Sequence, residues 1–383
     1  MKILIATETI TSGGAEWFAM RTAHALQQSG HDVWLWVMRP DYADARLIDK
    51  FSDIRRAGIP PKRSRLLARI DSLRQKAGLP EAAVHRANVK ALHTFITTHR
   101  PDVLHSHLIK TDKAIVAANQ TFRLPVISTN HGDYQHFYYE KPAEKREEYA
   151  RYLRQIIDGV KYHVTISDHQ MAFLKEVLKI DPAKLSSIYN GYPVPDTEQY
   201  RRPEQEHFCF GMIARGIREK GWAIAIDAFT RAAIPGTKLI LVGESDYLSG
   251  LQQQNNNPDI IFRPFTTDAL AEIAGFDVGL LPSWFASESL PTTIIEYMAL
   301  GKPTIASDIG EIRQMLQTDD GDAGIIIPLT EDHAVMAAHL KDAMIHICVD
   351  KLFYNEASEK SVQAFQKFRM DQCIKAYLEL YNS

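Results

Sequence analysis

Short apolar runs alternate with longer amphipathic stretches along the 383 residues of the chain. KILIAT (2–7) reads as a first strand. Ala19, Ala23 and Leu26, with Phe18 beside them, then return at helical spacing. VWLWV (33–37), DVLHS (102–106), PVIST (125–129) and HVTIS (163–167) read as further strands. Strands separated by helices predict parallel sheet, because each crossover needs a dozen or more residues. The alternation breaks at 190–207, a polar stretch with three prolines. It resumes with strands at 208–213, 238–242, 260–262, 278–281 and 304–306. Phe365, Phe368, Ile374, Tyr377, Leu378 and Tyr381 mark a terminal helix. The reading is an α/β chain of two Rossmann-like parallel-sheet halves. The expected bounds are 1–194 for the N-terminal domain, 195–207 for a linker, 208–360 for the C-terminal domain and 361–383 for the terminal helix. In such sheets ligands bind beyond the carboxyl ends of the strands, so a cleft between the halves is the expected site.

Composition narrows the class. Hydrophobic residues at 45% and charged residues at 24% fit a globular enzyme and exclude a disordered chain. The three cysteines are far apart, odd in number and never spaced Cys-x-x-Cys, which excludes a disulfide framework and a cysteine-rich zinc site. The expected compartment is the reducing cytosol. No apolar run reaches the ~18 residues of a membrane span, and the first is too short for a secretory signal. A net charge of −3 gives no footprint for nucleic acid. That average conceals residues 55–76, which carry eight Arg or Lys and one Asp.

Candidate chemistry concentrates in ESLPTTIIEYMALGKP (288–303). Ser289, Leu290, Pro291 and Thr292 precede an apolar helix, and a helix N-terminus offers unpaired amides and partial positive charge to a phosphate. Glu288 stands eight positions before Glu296, which lies about one turn into the helix, where a carboxylate can accept sugar hydroxyls. Arg215 and Lys220 in ARGIREKG (214–221) follow a strand, and two cations there can both reach a diphosphate. Gly13 and Gly14 let a ligand approach the backbone, although SGGAEW is not a dinucleotide fingerprint. His105 and His107 share one face at a strand end, fit either for structure or for the reaction centre. Asp319, Asp320 and Asp322 read as an acidic turn, so no metal requirement is expected.

These strings together resemble the signature of retaining, nucleotide-sugar-dependent glycosyltransferases of the GT-B fold, family-4 type. DVLHSH (102–107), TNHG (129–132), ISD (166–168), YNG (189–191), LVGES (241–245) and YLELY (377–381) extend the likeness from end to end. The resemblance implies two Rossmann-like domains facing a cleft, with the terminal helix returning to the first. It implies transfer of a hexose or N-acetylhexosamine with retention to a saccharide or lipid-linked saccharide, in cell-surface polysaccharide or lipopolysaccharide assembly. Glu288 would bind the transferred sugar and Glu296 the nucleotide ribose. Arg215 and Lys220 would neutralise the diphosphate, where leaving-group charge develops. Gly243 and residues 289–292 would join the donor site, and the Gly13–Gly14 loop would lie over the phosphates. His107 would contact the donor sugar or the reaction centre. His131, Asp133 and Tyr134 fall on the acceptor side. No cofactor is implied beyond a UDP- or GDP-sugar donor, UDP being the commoner in the family. The chain departs from the pattern at Ser289, where Gly is usual, and at Tyr192-Pro193, where an aliphatic residue and Asp are usual.

Two features stay open on sequence alone. Leu66, Ile70 and Leu73 recur at helical spacing within the basic segment. They fit a solvated helix packed by its leucine face, or one lying on an anionic membrane as in a peripheral protein on the inner face. Tyr134, Phe137, Tyr138 and Tyr139 suit sugar rings or a core. The rival readings are a nucleotide-sugar epimerase or phosphorylase-like enzyme, and a non-catalytic nucleotide-sugar-binding subunit.

Overall fold

Uninterrupted apolar strands persist where both faces of a sheet are covered. The computed structural model describes all residues except 12, 80–81 and 202–205. The first sheet has seven parallel strands: β1 (Lys2–Thr7), β2 (Asp32–Val37), β3 (Arg56–Gly58), β4 (Val103–His107), β5 (Val126–Asn130), β6 (Tyr162–Thr165) and β7 (Leu185–Ser187). Their order is β3-β2-β1-β4-β5-β6-β7. Alternation along β1 sends Ile3 and Ile5 to one face, packed with helix Gly14–Gln28 and the last helix, Met370–Asn382. Leu4 and Ala6 face the other way, against helices Ala83–His99 and Ile109–Asn119.

The second sheet holds β8 (Phe208–Ile213), β9 (Thr237–Val242), β10 (Ile260–Arg263), β11 (Val278–Leu281) and β12 (Thr304–Ser307). A hairpin of β13 (Gln317–Thr318) and β14 (Gly321–Asp322) precedes β15 (Gly324–Ile327). The order is β10-β9-β8-β11-β12-β15. Helices Trp222–Ala232 and His333–Val349 cover one face and helix Thr292–Ala299 the other. No described helix is long and apolar enough to cross a membrane.

Strands β3, β7 and β15 and the β13–β14 hairpin are additions to the sequence reading. β3 and β7 are edge strands of three residues, and β13 and β14 hold two each, too short to show a period of two. The expected terminal helix 361–383 is also divided. Helix Lys351–Phe365 passes through one 3₁₀ turn, Arg369 is extended, and Met370–Asn382 starts anew. The compact units are Met1–Gly191 with Met370–Ser383, and Tyr192–Arg369. They divide at 191 and 369, where the sequence pattern placed 194 and 360. The Tyr192 amide donates to the Phe368 carbonyl at 2.7 Å, so the entering and leaving chains of the second unit are tied together there. Part of the expected linker, 202–205, lies outside the described residues.

Two glycines seat the helix that carries Glu296. Gly211 in β8 and Gly279 in β11 are register partners. A Cβ on Gly211 would collide with the Phe276 ring and one on Gly279 with the Tyr297 ring. Tyr297, fully buried, accepts a hydrogen bond from the Ile213 amide at 3.1 Å and holds its helix against the sheet. Gly279→Ala is therefore expected to cost roughly 1–3 kcal/mol of stability through overpacking, read as a lower urea midpoint.

Candidate active site

In the second unit β9 and β11 flank β8 on opposite sides, so the loops after β8 and β11 diverge at a topological switch point. Both candidate cations follow β8, and Glu288 follows β11. Lys220 closes a 3₁₀ turn, Arg218–Lys220. Gly221 follows at φ 86, and a Cβ there would strike the Pro282 backbone, so only glycine brings the two loops this close. Lys220 Nζ donates to Glu288 Oε2 at 2.5 Å, with the two side chains 9% and 7% exposed. Ser283 Oγ, fully buried, donates to the same oxygen at 2.8 Å. The sequence reading assigned Lys220 to a diphosphate and Glu288 to a sugar; the structure joins them in one ion pair. Burying such a pair gains little over apolar packing, which favours a chemical reason for its presence.

Arg215 is exposed, yet its position is defined. Its carbonyl accepts from the Trp222 indole at 3.1 Å, and its guanidinium carbon stands 5.3 Å from the centre of the Phe285 ring. Lys220 Nζ lies 5.4 Å from the same ring. Helix Thr292–Ala299 begins at Pro291 with no side-chain cap, and the Ile294 amide donates to the Pro291 carbonyl at 3.1 Å. Thr293 Oγ1 donates to the Ile213 carbonyl at 3.0 Å and fixes this end beside β8. Leu290 and Pro291 are buried, and the Ser289 carbonyl accepts from the Glu311 amide at 2.9 Å. Glu296 is buried one turn further in. Gly243 acts through packing: a Cβ there would lie 2.9 Å from the Ala214 carbonyl oxygen and 3.0 Å from Trp222. Ser283 and Phe285 are additions to the sequence-predicted set. The signal for them is a serine and two aromatic residues, Trp284 and Phe285, shortly after the end of β11.

The first unit has its own switch point, between β1 and β4. Gly13 and Gly14 follow β1, and His107 ends β4. His107 Nδ1 and His131 Nε2 share a hydrogen bond of 3.0 Å, and Phe18 stands edge-on to both rings. His105 bonds Tyr381 OH at 2.7 Å and Thr129 Oγ1 at 2.8 Å, so its role is structural. Burial holds His105 and His131 at about 3 and His107 well below the ordinary histidine value, so all three are neutral at pH 7. Buried Thr7 Oγ1, His107 Nε2 and Asn130 Nδ2 have no partner among the described residues. They lie at the carboxyl ends of the adjacent strands β1, β4 and β5, where a ligand's hydroxyls could satisfy them. The Gly13–Gly14 loop differs from expectation. The Glu16 carboxylate turns back over it, within 3.5 Å of where a Gly13 Cβ would sit, and accepts from Thr9 Oγ1 at 2.9 Å. The amides offered to a phosphate thus face a carboxylate, whose pKa burial raises.

Tyr134 corrects the acceptor-side reading. It is 1% exposed, packs with Ile109, Leu153 and Phe173, and donates to Asp112 Oδ2 at 2.7 Å, so neither ring face is free for a sugar. Asp112 also accepts from the Ser106 and Ser128 hydroxyls. Asp133 Oδ2 accepts from the Ile109 amide at 2.5 Å, while its other oxygen is buried and unpartnered among the described residues. Burial pushes Asp112 up to about 6, and burial with the nearby Asp112 charge pushes Asp133 up to about 7.

The basic segment forms helix Pro61–Lys76, whose two buried residues are polar. Ser64 donates to Asp41, and Asp71 accepts from the Ala82, Ala83 and Val84 amides. Leu66, Ile70 and Leu73 are 58%, 40% and 66% exposed, which overturns the reading of a packed leucine face.

Two family descriptions match the chain in succession. The family described as Glycosyltransferase Family 4 matches residues 12–194, and that described as Glycosyl transferases group 1 matches 205–345. Phosphatidyl-myo-inositol mannosyltransferase of Mycobacterium tuberculosis (strain CDC 1551 / Oshkosh) is 25% identical over 346 residues, 88% of this chain and 84% of its own length. The crystal structure of Anabaena Alr3699/HepE in complex with UDP and glucose superposes with a TM-score of 0.73 at 20% identity, covering 100% of both chains. Sucrose-phosphate synthase from Thermosynechococcus elongatus gives 0.73 at 18% identity, covering 100% of this chain and 98% of that one.

The raised Asp133 pKa makes a signed prediction. Its folded value near 7 exceeds an unfolded value near 4, so stability from this group is full at low pH and is lost as pH rises through 7. The buried histidines run the other way. Asp133→Asn mimics the protonated acid, so its stability relative to the parent should rise by roughly 2–4 kcal/mol between pH 4 and pH 8. Denaturant midpoints of both proteins across that range check it; a pH-independent difference would contradict it.

Proposed function

We propose that this chain, a glycosyltransferase of the GT-B fold with a family-4 N-terminal part and a group-1 C-terminal part, moves a hexosyl or N-acetylhexosaminyl group with retention. The donor is a UDP- or GDP-sugar and the acceptor a saccharide or lipid-linked saccharide. The observation that carries the reading is the buried Lys220–Glu288 pair beside Arg215 at the β8–β11 switch point. When the bond from the sugar's anomeric carbon to the diphosphate breaks, negative charge grows on the leaving oxygen. Fixed cations there stabilise the transition state more than the ground state. The acceptor hydroxyl bonds to the same carbon on the same face and passes its proton to the departing phosphate. The protein then supplies position and field rather than a nucleophile. Glu288 binds the transferred sugar and Glu296 the ribose. His107, with a buried nitrogen lacking a partner among the described residues, is suited to a sugar hydroxyl.

The reading of cell-surface glycan assembly draws on the mannosyltransferase named above, whose name specifies a phosphatidyl-inositol acceptor. It also draws on helix Pro61–Lys76. Arg63, Arg65 and Arg69 are exposed alongside Leu66, Ile70 and Leu73, and its inward residues are polar. That arrangement suits an anionic membrane surface, with side chains of both kinds meeting the headgroup layer.

Two measurements test the reading. Lys220→Ala should cut turnover by roughly 10²-fold while the protein stays folded by circular dichroism, and NMR of the parent's product should show the donor's anomeric configuration. A near-normal rate removes Lys220 from the mechanism, and an inverted linkage removes retention. Sedimentation with phosphatidylglycerol vesicles should show binding that weakens with salt and with Arg63, Arg65 and Arg69 changed to Gln. No binding at low salt would reject the membrane surface.

A further inference from the structure

One aromatic ring lies beneath both cations of the proposed donor site. Arg215 and Lys220 carry like charge and stand 5.3 and 5.4 Å from the centre of Phe285. Lys220 is held by Glu288, but Arg215 is exposed and has no carboxylate partner among the described residues. A free guanidinium on a long side chain samples many rotamers, and a neighbouring ammonium repels it. The electron-rich face of a ring attracts both groups without neutralising either. A carboxylate in place of the ring would cancel the Arg215 charge as Glu288 already balances that of Lys220.

The ring has its own anchors. The Phe285 amide donates to Ser283 Oγ at 3.3 Å, and its carbonyl accepts from the Glu288 amide at 2.8 Å. The Trp284 amide beside it donates to the Glu219 carbonyl at 2.8 Å, bracing the turn against the loop that carries Lys220. Phe285 is only half-buried and is absent from the buried core, so filling the interior does not account for it. We propose that Phe285 is a positioning residue for the donor's diphosphate, its ring holding Arg215 and Lys220 in place before the ligand arrives. This rests on the donor reading above. Preplaced cations lose less freedom on binding, so the ring's contribution is to affinity.

Fluorinated phenylalanines at position 285 test this, because they keep the shape of the ring while draining its face of negative potential. UDP and GDP are titrated by calorimetry into the parent protein and into 4-fluoro, 3,5-difluoro and pentafluoro forms. The affinity of the nucleotide that binds should fall step by step, by about tenfold across the series, with melting temperature unchanged. Phe285→Leu should match the pentafluoro form and Phe285→Trp should approach the parent. In turnover, the KM for the donor should rise by a similar factor with kcat little altered. Equal affinity throughout the series overturns the role of Phe285 and leaves the donor reading intact. Failure of the parent to bind either nucleotide overturns the donor reading and this inference with it.

Discussion

A lysine and a glutamate with side chains less than a tenth exposed, 2.5 Å apart, are the constraint around which the second unit is arranged. Removing two full charges from water is costly, and their attraction offsets that cost only where the geometry is fixed. Fixing it takes a glycine at φ 86 so that two loops can touch and a buried serine to share the glutamate. Each of these is a local compromise in stability that apolar packing would avoid. They make sense together only if the charges are wanted at that edge of the sheet.

The sheet topology supplies the edge. A parallel strand order that reverses direction leaves two loops parting from adjacent strands, and both units have that order. In the second unit the parting loops bring charge. In the first they bring neutral histidines, an asparagine and a threonine, with buried polar atoms that lack partners among the described residues. One unit carries paired and exposed charge at its switch point, and the other carries neutral polar groups. That division suits the proposed reaction, in which a charged diphosphate leaves a sugar ring and an acceptor hydroxyl takes its place.

Much of this was legible in the sequence because it depends on local pattern. The apolar runs gave ten of the strands nearly to the residue, and ESLPTTIIEYMALGKP and ARGIREKG announced the charged edge. What escaped depends on contacts distant in the chain. The aromatic neighbours of Tyr134 fit a sugar platform or a core alike, and a carboxylate 22 positions away, which draws its hydroxyl inward, decides for the core. Helix Pro61–Lys76 shows a leucine stripe that usually means core, yet Asp71 and Ser64 turn inward because partners await them there. The pairing of Lys220 with Glu288 spans 68 positions and no spacing rule foretells it. β3 and β7, edge strands of only three residues, carry too little pattern to be seen.

A crystal structure of the protein with UDP or GDP bound tests the central claim most directly. The account predicts the β-phosphate within hydrogen-bond reach of both Lys220 Nζ and the Arg215 guanidinium, the ribose at Glu296, and the 292–299 helix N-terminus facing the phosphates. A nucleotide seated elsewhere, with the Lys220–Glu288 pair closed and Arg215 untouched, would contradict it.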